Sequence, residues 1–283
     1  MTNQTSLLND QTILLTGAAG KVAKRLRVAL SSMCKKLVLT DVIPITDGRA
    51  NERFVQCDLS NPEAVEALLK GVNKIVHFAG YPREAEWATL IPANVIAVTN
   101  LWESALKQGI RRIVYASTNH VVGFYPTSHH IRIDAEYKCD SRYGVTKAFT
   151  ETLARFYYEK YGIESLGLRI GRVEDAPSDD RMLSTWLHPD DLLQQVVLGL
   201  TAKVQADILY GVSNNSKAWC ENPSRDSLPY KPVHRADDYI EAIAGATSGA
   251  QASNWQFQGG PFAAQGYVGE PARAANFYWR TQP

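Results

Sequence analysis

The chain has 283 residues, of which 45% are apolar and 21% charged, and its formal net charge is +1. This length allows one large domain with a sizeable core. A near-neutral balance excludes a long-range field that attracts nucleic acid or an anionic membrane, so small molecules are the expected partners. The apolar runs are too short and interrupted to cross a bilayer, and no basic segment followed by a long apolar one opens the chain, so a cytoplasmic location is expected.

Short apolar runs alternate with longer amphipathic stretches, which predicts parallel strands joined by crossover helices. The fold class is therefore α/β, a doubly wound parallel sheet of the Rossmann type. The predicted strands are TILLT (12–16), KLVLT (36–40), RFVQC (53–57), KIVHFA (74–79), RIVYAS (112–117) and SLGLRI (165–170). Helices are predicted at about 21–32, 61–71, 87–108 and 143–161.

The alternation fades after about residue 171. VEDAPSDDRMLSTW is predicted as a loop, HPDDLLQQVVLGLTA as a helix capped by His188-Pro189-Asp190, and the rest as irregular. Pro, Gly and aromatic residues crowd the last sixty positions, which indicates loops over the carboxyl edge of the sheet. We therefore predict a Rossmann domain at 1–170 and a small substrate-binding lobe at 171–283, within one structural unit.

A glycine motif follows the first predicted strand. Gly17 permits a tight turn, Gly20 lets the backbone approach a pyrophosphate, and Ala23 is small enough for close helix packing. The N-terminus of the helix presents free N–H groups to phosphates. Asp41 ends the second strand, where a carboxylate accepts hydrogen bonds from ribose hydroxyls and repels a 2′-phosphate. These features predict NAD as the cofactor.

Two alternatives stay open at this end of the sheet. Asp41 could merely cap a turn, and the basic residues of the first helix could serve NADP rather than remain solvated. Those basic residues are Lys21, Lys24 and Arg25. Successive strand ends extend the cofactor site, because Asp58 and Leu59 could flank the adenine, and Ala79 and Gly80 leave room for the middle of the cofactor.

The fifth strand ends in Thr118, and the segment SRYGVTK opens a helix beside it. Tyr143 and Lys147 are four positions apart, one helical turn, and so share a face. Oxidising an alcohol needs a base for the hydroxyl proton, and a free tyrosine, with a pKa of roughly 10, is mostly protonated at neutral pH. Positive charge from Lys147 and from oxidised nicotinamide is expected to favour the phenolate.

These residues together resemble the extended short-chain dehydrogenases/reductases. TGAAGKVA, the strand-end aspartate, DLS, HFAG, STNHVVG and YGVTK occur in that family's order, over about residues 10 to 260. The resemblance implies Tyr143, Lys147 and Thr118 as catalytic residues. Besides Tyr143 and Lys147, it implies the cofactor-binding residues Gly17, Ala19, Gly20, Lys21, Val22, Asp41, Asp58, Leu59, Ala79, Gly80, Asn94 and Ile170. It also implies a homodimer or larger assembly through helices such as 87–108 and 143–161.

Within this family the chain is most similar to the uronate dehydrogenases, on ASTNHVVGFYP, YGVTKAFTETLARFYYEKYGIE, LRIG, RMLSTWLHPDD and FQGG. That resemblance implies NAD-dependent oxidation of C1 of a hexuronate to an aldarolactone. Arg181 would then grip the substrate carboxylate through a forked pair. The implied substrate-binding residues are Ser117, Asn119, His120, Arg172 and Arg181.

Two positions depart from the uronate pattern. Arg172 stands where that family has a small hydroxyl residue, and Pro82 stands where it has a serine. Arg172 could indicate a different anionic substrate or could simply pair with Glu174 or Asp175. His120 could also be a histidine satisfied by core hydrogen bonds, and Trp186, Trp219 and the aromatic tail are interpreted as packing, although either tryptophan could wall the pocket.

Three hypotheses remain besides uronate oxidation. They are a dehydrogenase of a neutral or sulfonated sugar, a sugar-nucleotide epimerase or dehydratase that retains its NAD, and a non-catalytic NAD sensor. No metal is expected, because Cys34, Cys57, Cys139 and Cys220 lack ligand spacing and read as reduced.

Overall fold

The computed structural model describes residues 6–222, 228–246 and 256–269. Seven parallel strands form one sheet in the order β3-β2-β1-β4-β5-β6-β9, which confirms the predicted doubly wound α/β fold. The strand order reverses between β1 and β4, the position where such sheets bind ligands. The strands are β1 Thr12–Thr16, β2 Lys36–Asp41, β3 Glu52–Gln56, β4 Lys74–His77, β5 Arg112–Thr118, β6 Glu164–Ile170 and β9 Ala206–Gly211; the short strands β7 Arg172–Val173 and β8 Trp186–Leu187 pair separately.

Helices cover both faces of the sheet. They are α1 Lys21–Met33, α2 Pro62–Leu68, α3 Trp87–Leu90, α4 Ala97–Lys107, α5 Arg142–Tyr161, α6 Met182–Thr185, α7 Pro189–Thr201 and α8 Pro261–Ala264. Single 3-10 turns occur at Ser6–Leu8, Asn119–Val122 and Ala236–Tyr239. As predicted, α7 begins after His188, whose ring accepts the N–H of Asp190.

Three predictions about elements were wrong. The predicted loop VEDAPSDDRMLSTW contains the helical turn α6 and Trp186, the first residue of β8. The segment after residue 201 is not wholly irregular, because Ala206–Gly211 adds the seventh strand beside β6. Only its last three residues are buried, as expected of an edge strand, so the pattern of apolar residues is too short to predict a strand from the sequence. The helix predicted at 87–108 is interrupted by a π-helical segment, Ile91–Ile96, where Pro92 lacks the N–H that a regular α-helical ladder uses.

The strands bury both faces, because side chains alternate along a strand. Ile13 and Leu15 pack on the side of α1 and α7, whereas Leu14 packs on the side of α2, α4 and α5. The carboxyl ends of the strands are thereby held rigidly at one edge. The site residues described below are positioned at that edge.

A buried ion pair joins β6 to α5: Arg169 Nη2 lies 2.9 Å from Glu151 Oε2, and both side chains are at most 4% exposed. Removing one partner leaves a buried charge without compensation. We expect Arg169→Met to lower the free energy of unfolding by about 3 kcal/mol in urea titrations. Arg155→Met removes the exposed 3.8 Å pair with Glu159 and should change it by less than about 0.5 kcal/mol. Equal losses in both variants would contradict this account.

Among the described residues, no helix has the length and apolar content needed to span a membrane. The four cysteines are free. The aromatic tail that the sequence assigned to packing lies beyond residue 269, outside the described residues. The seventh strand shows that the sheet draws on the segment that the sequence assigned to the C-terminal lobe.

Candidate active site

The glycine motif forms the turn between β1 and α1. Gly17 has φ +66°, and a Cβ there would lie 2.6 Å from the backbone N of Ala79. Only glycine combines that dihedral with so close an approach of two strand ends. Gly20 precedes α1, and no side chain caps that helix. The backbone N–H groups of its first turn are therefore available to phosphate oxygens.

Asp41 holds this turn. Its Oδ2 accepts the N–H of Ala19 and its Oδ1 accepts the N–H of Ile43, both at 3.0 Å. Asp41 thus does the turn-capping that the alternative interpretation proposed, and its half-buried carboxylate also borders a cavity, as a ribose-binding residue must.

The basic residues of α1 are engaged by acids that follow β6. Lys21 Nζ lies 2.6 Å from Glu174 Oε1, and Arg25 pairs with Asp175. These pairs neutralise two of the three cations that NADP binding would have used. They favour the interpretation that these basic residues are surface charges that do not bind a 2′-phosphate.

A cavity of about 440 Å³ lies along the strand ends at the β1–β4 switch point. Most of the predicted cofactor residues line it: Gly17, Gly20, Lys21, Val22, Asp41, Asp58, Leu59, Ala79 and Gly80. The uncapped helix, the closely packed glycine and the strand-end carboxylate fit a dinucleotide. Pro82 lines this cavity as well.

Asn94 supports this cavity from behind and is absent from its lining. The buried amide accepts the N–H of Tyr81 at 2.7 Å and donates to the Tyr81 carbonyl and to Thr146 Oγ1. A Cβ on Gly80 would lie 2.8 Å from Asn94 Oδ1. The structure therefore gives Asn94 the task of fixing the Gly80–Tyr81 loop, a different role from the direct contact implied by the resemblance.

A second cavity of about 240 Å³, the Tyr143 cavity, adjoins the first and shares Val22 and residues 78–82 with it. Its lining brings together the three predicted catalytic residues, Thr118, Tyr143 and Lys147. The same lining includes Ser117, His120, Ile170 and Pro82. The structure thus assembles the catalytic set that the sequence predicted beside the candidate dinucleotide cavity.

Lys147 is fixed by a hydrogen bond of 3.0 Å from Nζ to the carbonyl of Ala116, and Nζ lies 5.9 Å from the ring centroid of Tyr143. Burial lowers the pKa of Lys147 to about 8. Burial also raises the pKa of Tyr143 to about 12, a rise that the hydrogen bond with Thr118 opposes. The expected lowering of the phenol pKa is therefore not seen in the protein alone, because loss of water around the phenolate outweighs the hydrogen bond with Thr118, and the Asp140 carboxylate adds to the rise.

Ser117 and Thr118 point to opposite faces of β5. The Ser117 hydroxyl donates to Glu151 at 2.5 Å inside the buried Arg169 network, so this hydroxyl is already engaged although the residue borders the Tyr143 cavity. Thr118 Oγ1 accepts the N–H of His120 at 3.3 Å. Asn119 lines a separate cavity of about 20 Å³ with Trp219.

Arg181 lacks an ion pair within the part of the chain that the structure describes. Its Nη2 donates to the carbonyl of Gln258, its guanidinium lies 5.6 Å from the ring of Trp219, and its buried Nε has no hydrogen-bond partner. Burial lowers the pKa of Arg181, and Asp140 and Asp179 oppose that shift. A partly buried guanidinium with an unused N–H is suited to an anionic ligand.

Arg172 behaves differently from Arg181. Its side chain is 56% exposed and lies 3.7 Å from Glu174 Oε1, which matches the simple pairing considered from the sequence. Like Arg181, it is absent from the lining of all three cavities; the two arginines differ in exposure and pairing. Trp186 is fully buried, as the packing interpretation predicted, whereas Trp219 walls the region around Arg181.

Sequence reasoning missed two residues next to the Tyr143 cavity. The Phe262 ring stacks on His120 with centroids 4.1 Å apart, and Asp140 Oδ2 lies 2.8 Å from His120 Nδ1. Phe262 belongs to the late FQGGPF segment, whose contact with the turn after β5 follows only from the fold. Asp140 directly precedes SRYGVTK, so its position beside that segment was the available signal.

His188, Asp190 and His234 place potential metal-ligand atoms within 4.8 Å of one another. The two imidazoles stack with centroids 3.5 Å apart and an interplanar angle of 21°. Ring nitrogens donate their lone pairs in the ring plane, so nearly parallel rings do not converge on one ion. His188 Nδ1 also already accepts the N–H of Asp190 as a helix cap.

Comparisons with known proteins show the family of the chain. The family model described as NAD dependent epimerase/dehydratase matches residues 13–208. A uronate dehydrogenase from Pseudomonas putida is 37% identical over 257 residues, covering 90% of this chain and 96% of the relative.

Two solved structures share the fold over nearly their whole length. A glucuronic acid dehydrogenase from Chromohalobacter salexigens has a TM-score of 0.87 and 34% identity, covering 93% of this chain and 98% of the other. A mutant uronate dehydrogenase from Agrobacterium tumefaciens, complexed with NAD, has a TM-score of 0.86 and 34% identity, covering 89% and 97%. The predicted family and the predicted cofactor, NAD, are confirmed. The chain belongs to the NAD-dependent epimerase/dehydratase family, as an NAD-dependent oxidoreductase similar to the uronate dehydrogenases.

Proposed function

We propose that the protein oxidises C1 of a hexuronate, such as glucuronate or galacturonate, and releases the aldarolactone. The observation that supports this proposal is the Arg181 guanidinium, which has no ion pair among the described residues and contacts the FQGGPF segment next to the Tyr143 cavity without lining that cavity itself. Gln258 accepts from Arg181, while Phe262 of the same segment stacks on His120 at that cavity. A substrate that carries a carboxylate and an oxidisable hydroxyl could bind Arg181 through the carboxylate and place the hydroxyl at the Tyr143 cavity.

Each site residue has its own role in the proposed oxidation of C1. Arg181 binds the carboxylate, and Thr118 donates its hydroxyl hydrogen to orient the C1 oxygen. Tyr143 takes the proton of the C1 hydroxyl, so that the C1–O bond gains double-bond character as the C1–H bond breaks. Lys147 stabilises the phenolate. Bound NAD supplies the acceptor for the hydride that leaves C1.

A substrate panel tests this function. The full-length protein is incubated with NAD and glucuronate, galacturonate, glucose or galactose, and NADH absorbance is followed. We expect NADH with the uronates and at least about tenfold lower kcat/KM with the neutral sugars, because Arg181 then lacks its anion. Activity confined to neutral or sulfonated sugars would retain the reaction and overturn the substrate.

The same preparation discriminates the rival functions. An epimerase or dehydratase would hold NAD tightly through purification without net reduction, and a sensor would bind NAD without turnover. The Tyr143 cavity, at about 240 Å³, is below the roughly 300–1,000 Å³ typical of drug-sized ligand sites. This size favours a monosaccharide over a sugar nucleotide.

Coenzyme choice is expected to depend on the charge of Asp41. Asp41→Asn removes the charge that repels a 2′-phosphate, and its single amide oxygen can still accept one of the two N–H groups, from Ala19 or from Ile43. We expect the kcat/KM ratio of NAD to NADP to fall about tenfold or more. Asp134→Asn, on an exposed side chain paired with Arg132, should leave that ratio unchanged. An unaltered ratio in Asp41→Asn would show that the carboxylate serves only the turn.

A further inference from the structure

Asp140 and His120 form a hydrogen-bonded pair beside the Tyr143 cavity. His120 Nδ1 lies 2.8 Å from Asp140 Oδ2, and the Asp140 side chain is 0% exposed. His120 lines the cavity, whereas Asp140 does not. The carboxylate therefore acts on the cavity only through the imidazole.

Two glycines make the space for this carboxylate. A Cβ on Gly123 would lie 1.8 Å from Asp140 Oδ2, and one on Gly259 would lie 1.7 Å from the same atom. The N–H of Gly259 donates to the Gly123 carbonyl at 2.8 Å, so the two backbones close around it. This explains the glycines of STNHVVG and FQGG, which no contact with cofactor required.

The hydrogen-bond pattern determines which way the imidazole faces. The hydroxyl of Ser141 accepts the N–H of Gly144 at 3.0 Å, so its own hydrogen goes to Asp140 Oδ1 at 2.7 Å. A carboxylate only accepts, and so Oδ2 takes the hydrogen on His120 Nδ1. Within the described residues His120 Nε2 has no hydrogen-bond partner, and stacking on Phe262 limits rotation of the ring.

We propose that Asp140 is a positioning residue that holds His120 as the Nδ1–H tautomer, with the Nε2 lone pair directed at a sugar hydroxyl. The inference rests on the proposed function and adds a substrate-orienting acceptor to it. The ring centroids of His120 and Tyr143 are 6.1 Å apart, so the hydroxyl concerned lies near the reacting carbon. Asp140 itself touches neither substrate nor cofactor.

A double-mutant cycle with glucuronate separates this role from a merely structural one. Asp140→Asn offers an amide hydrogen to Nδ1, which moves the ring hydrogen to Nε2 and turns the acceptor into a donor. We expect kcat/KM to fall about 10- to 100-fold, with the KM for NAD within about twofold of the parent. In a His120→Phe background, the same Asn substitution should change kcat/KM by no more than about twofold.

Equal losses in both backgrounds would overturn the proposal, because Asp140 would then act independently of His120. Thermal unfolding of the four proteins identifies any loss that comes from the fold.

A second measurement needs neither substrate nor a stable variant. The protein has six histidines, and ¹⁵N spectra of the histidine-labelled parent report which ring nitrogen carries hydrogen. The signals of His120 are those lost in His120→Phe. We expect hydrogen on Nδ1 and a bare Nε2. Hydrogen on Nε2, in a neutral or a charged ring, would overturn the inference even if uronates are oxidised; a bare Nε2 without uronate turnover would overturn the proposed function alone.

Discussion

A Tyr143→Phe variant is expected to lose about 10³-fold in kcat for uronate oxidation while its affinity for NAD stays nearly unchanged. The substitution removes one oxygen from a residue that is only 8% exposed, and it keeps the edge contacts of the ring with the stacked His120 and Phe262. The lost oxygen is the proton acceptor for the C1 hydroxyl. Initial rates measure the first effect, and titration of NAD against protein fluorescence measures the second.

Tyr158→Phe is the matched control. It is the same chemical change on the same helix, on a half-buried residue outside the Tyr143 cavity, and it should retain full activity. A Tyr143→Phe variant as active as the parent would remove Tyr143 from its role as the base.

The pH profile follows from the same residue. Burial raises the pKa of Tyr143 to about 12 in the protein alone, so the phenolate is scarce at neutral pH and kcat/KM should increase with pH. Lys147, with its pKa lowered to about 8 by burial, supplies positive charge most fully below that pH. Lys147→Met should therefore move the rise in kcat/KM to higher pH. An unshifted profile would indicate that Lys147 serves cofactor binding alone.

An Arg181→Gln variant is expected to lose about 10²- to 10³-fold in kcat/KM for glucuronate, and about tenfold or less for a neutral aldose. The guanidinium is partly buried and makes no ion pair in the described part of the chain, so its charge is free for a substrate carboxylate. Glutamine can still donate one hydrogen bond but neither a charge nor a fork. The ratio of the two losses isolates the carboxylate interaction.

Arg172→Gln provides the control for Arg181. It removes an arginine of the same strand-end region whose side chain is exposed and faces Glu174. We expect a change of less than about twofold with glucuronate, because exposed pairs of this length contribute little. A large loss of kcat/KM in Arg172→Gln with little loss in Arg181→Gln would show that Arg172 binds the carboxylate. It would also favour the interpretation that Arg172 indicates a different anionic substrate.

Six strands, three of the four predicted helices and most residues that line the cavity at the strand ends were predictable from local pattern. Apolar runs of five or six residues, the glycines between β1 and α1, and Asp41 at a strand end depend on short-range chemistry that the order of residues records directly. The Tyr143–Lys147 spacing likewise records a shared helical face. Thr118 could be predicted to lie near Tyr143 and Lys147, because the carboxyl end of a parallel strand and the start of the following helix lie at the same edge of the sheet.

The remainder depended on contacts between distant segments. Strand β9 is an edge strand recognisable only from its pairing with β6, and Ser117 is engaged by Glu151 because the register of β5 turns its hydroxyl into the Arg169 network. The tertiary structure also decided that Arg172 faces Glu174, while Arg181 has no ion pair in the described part of the chain. Local sequence determined which groups could perform the chemistry. Burial and long-range packing decided which of them remain free to do so, because the charged or hydrogen-bonding partner of a side chain is often distant in sequence and cannot be identified from the local pattern.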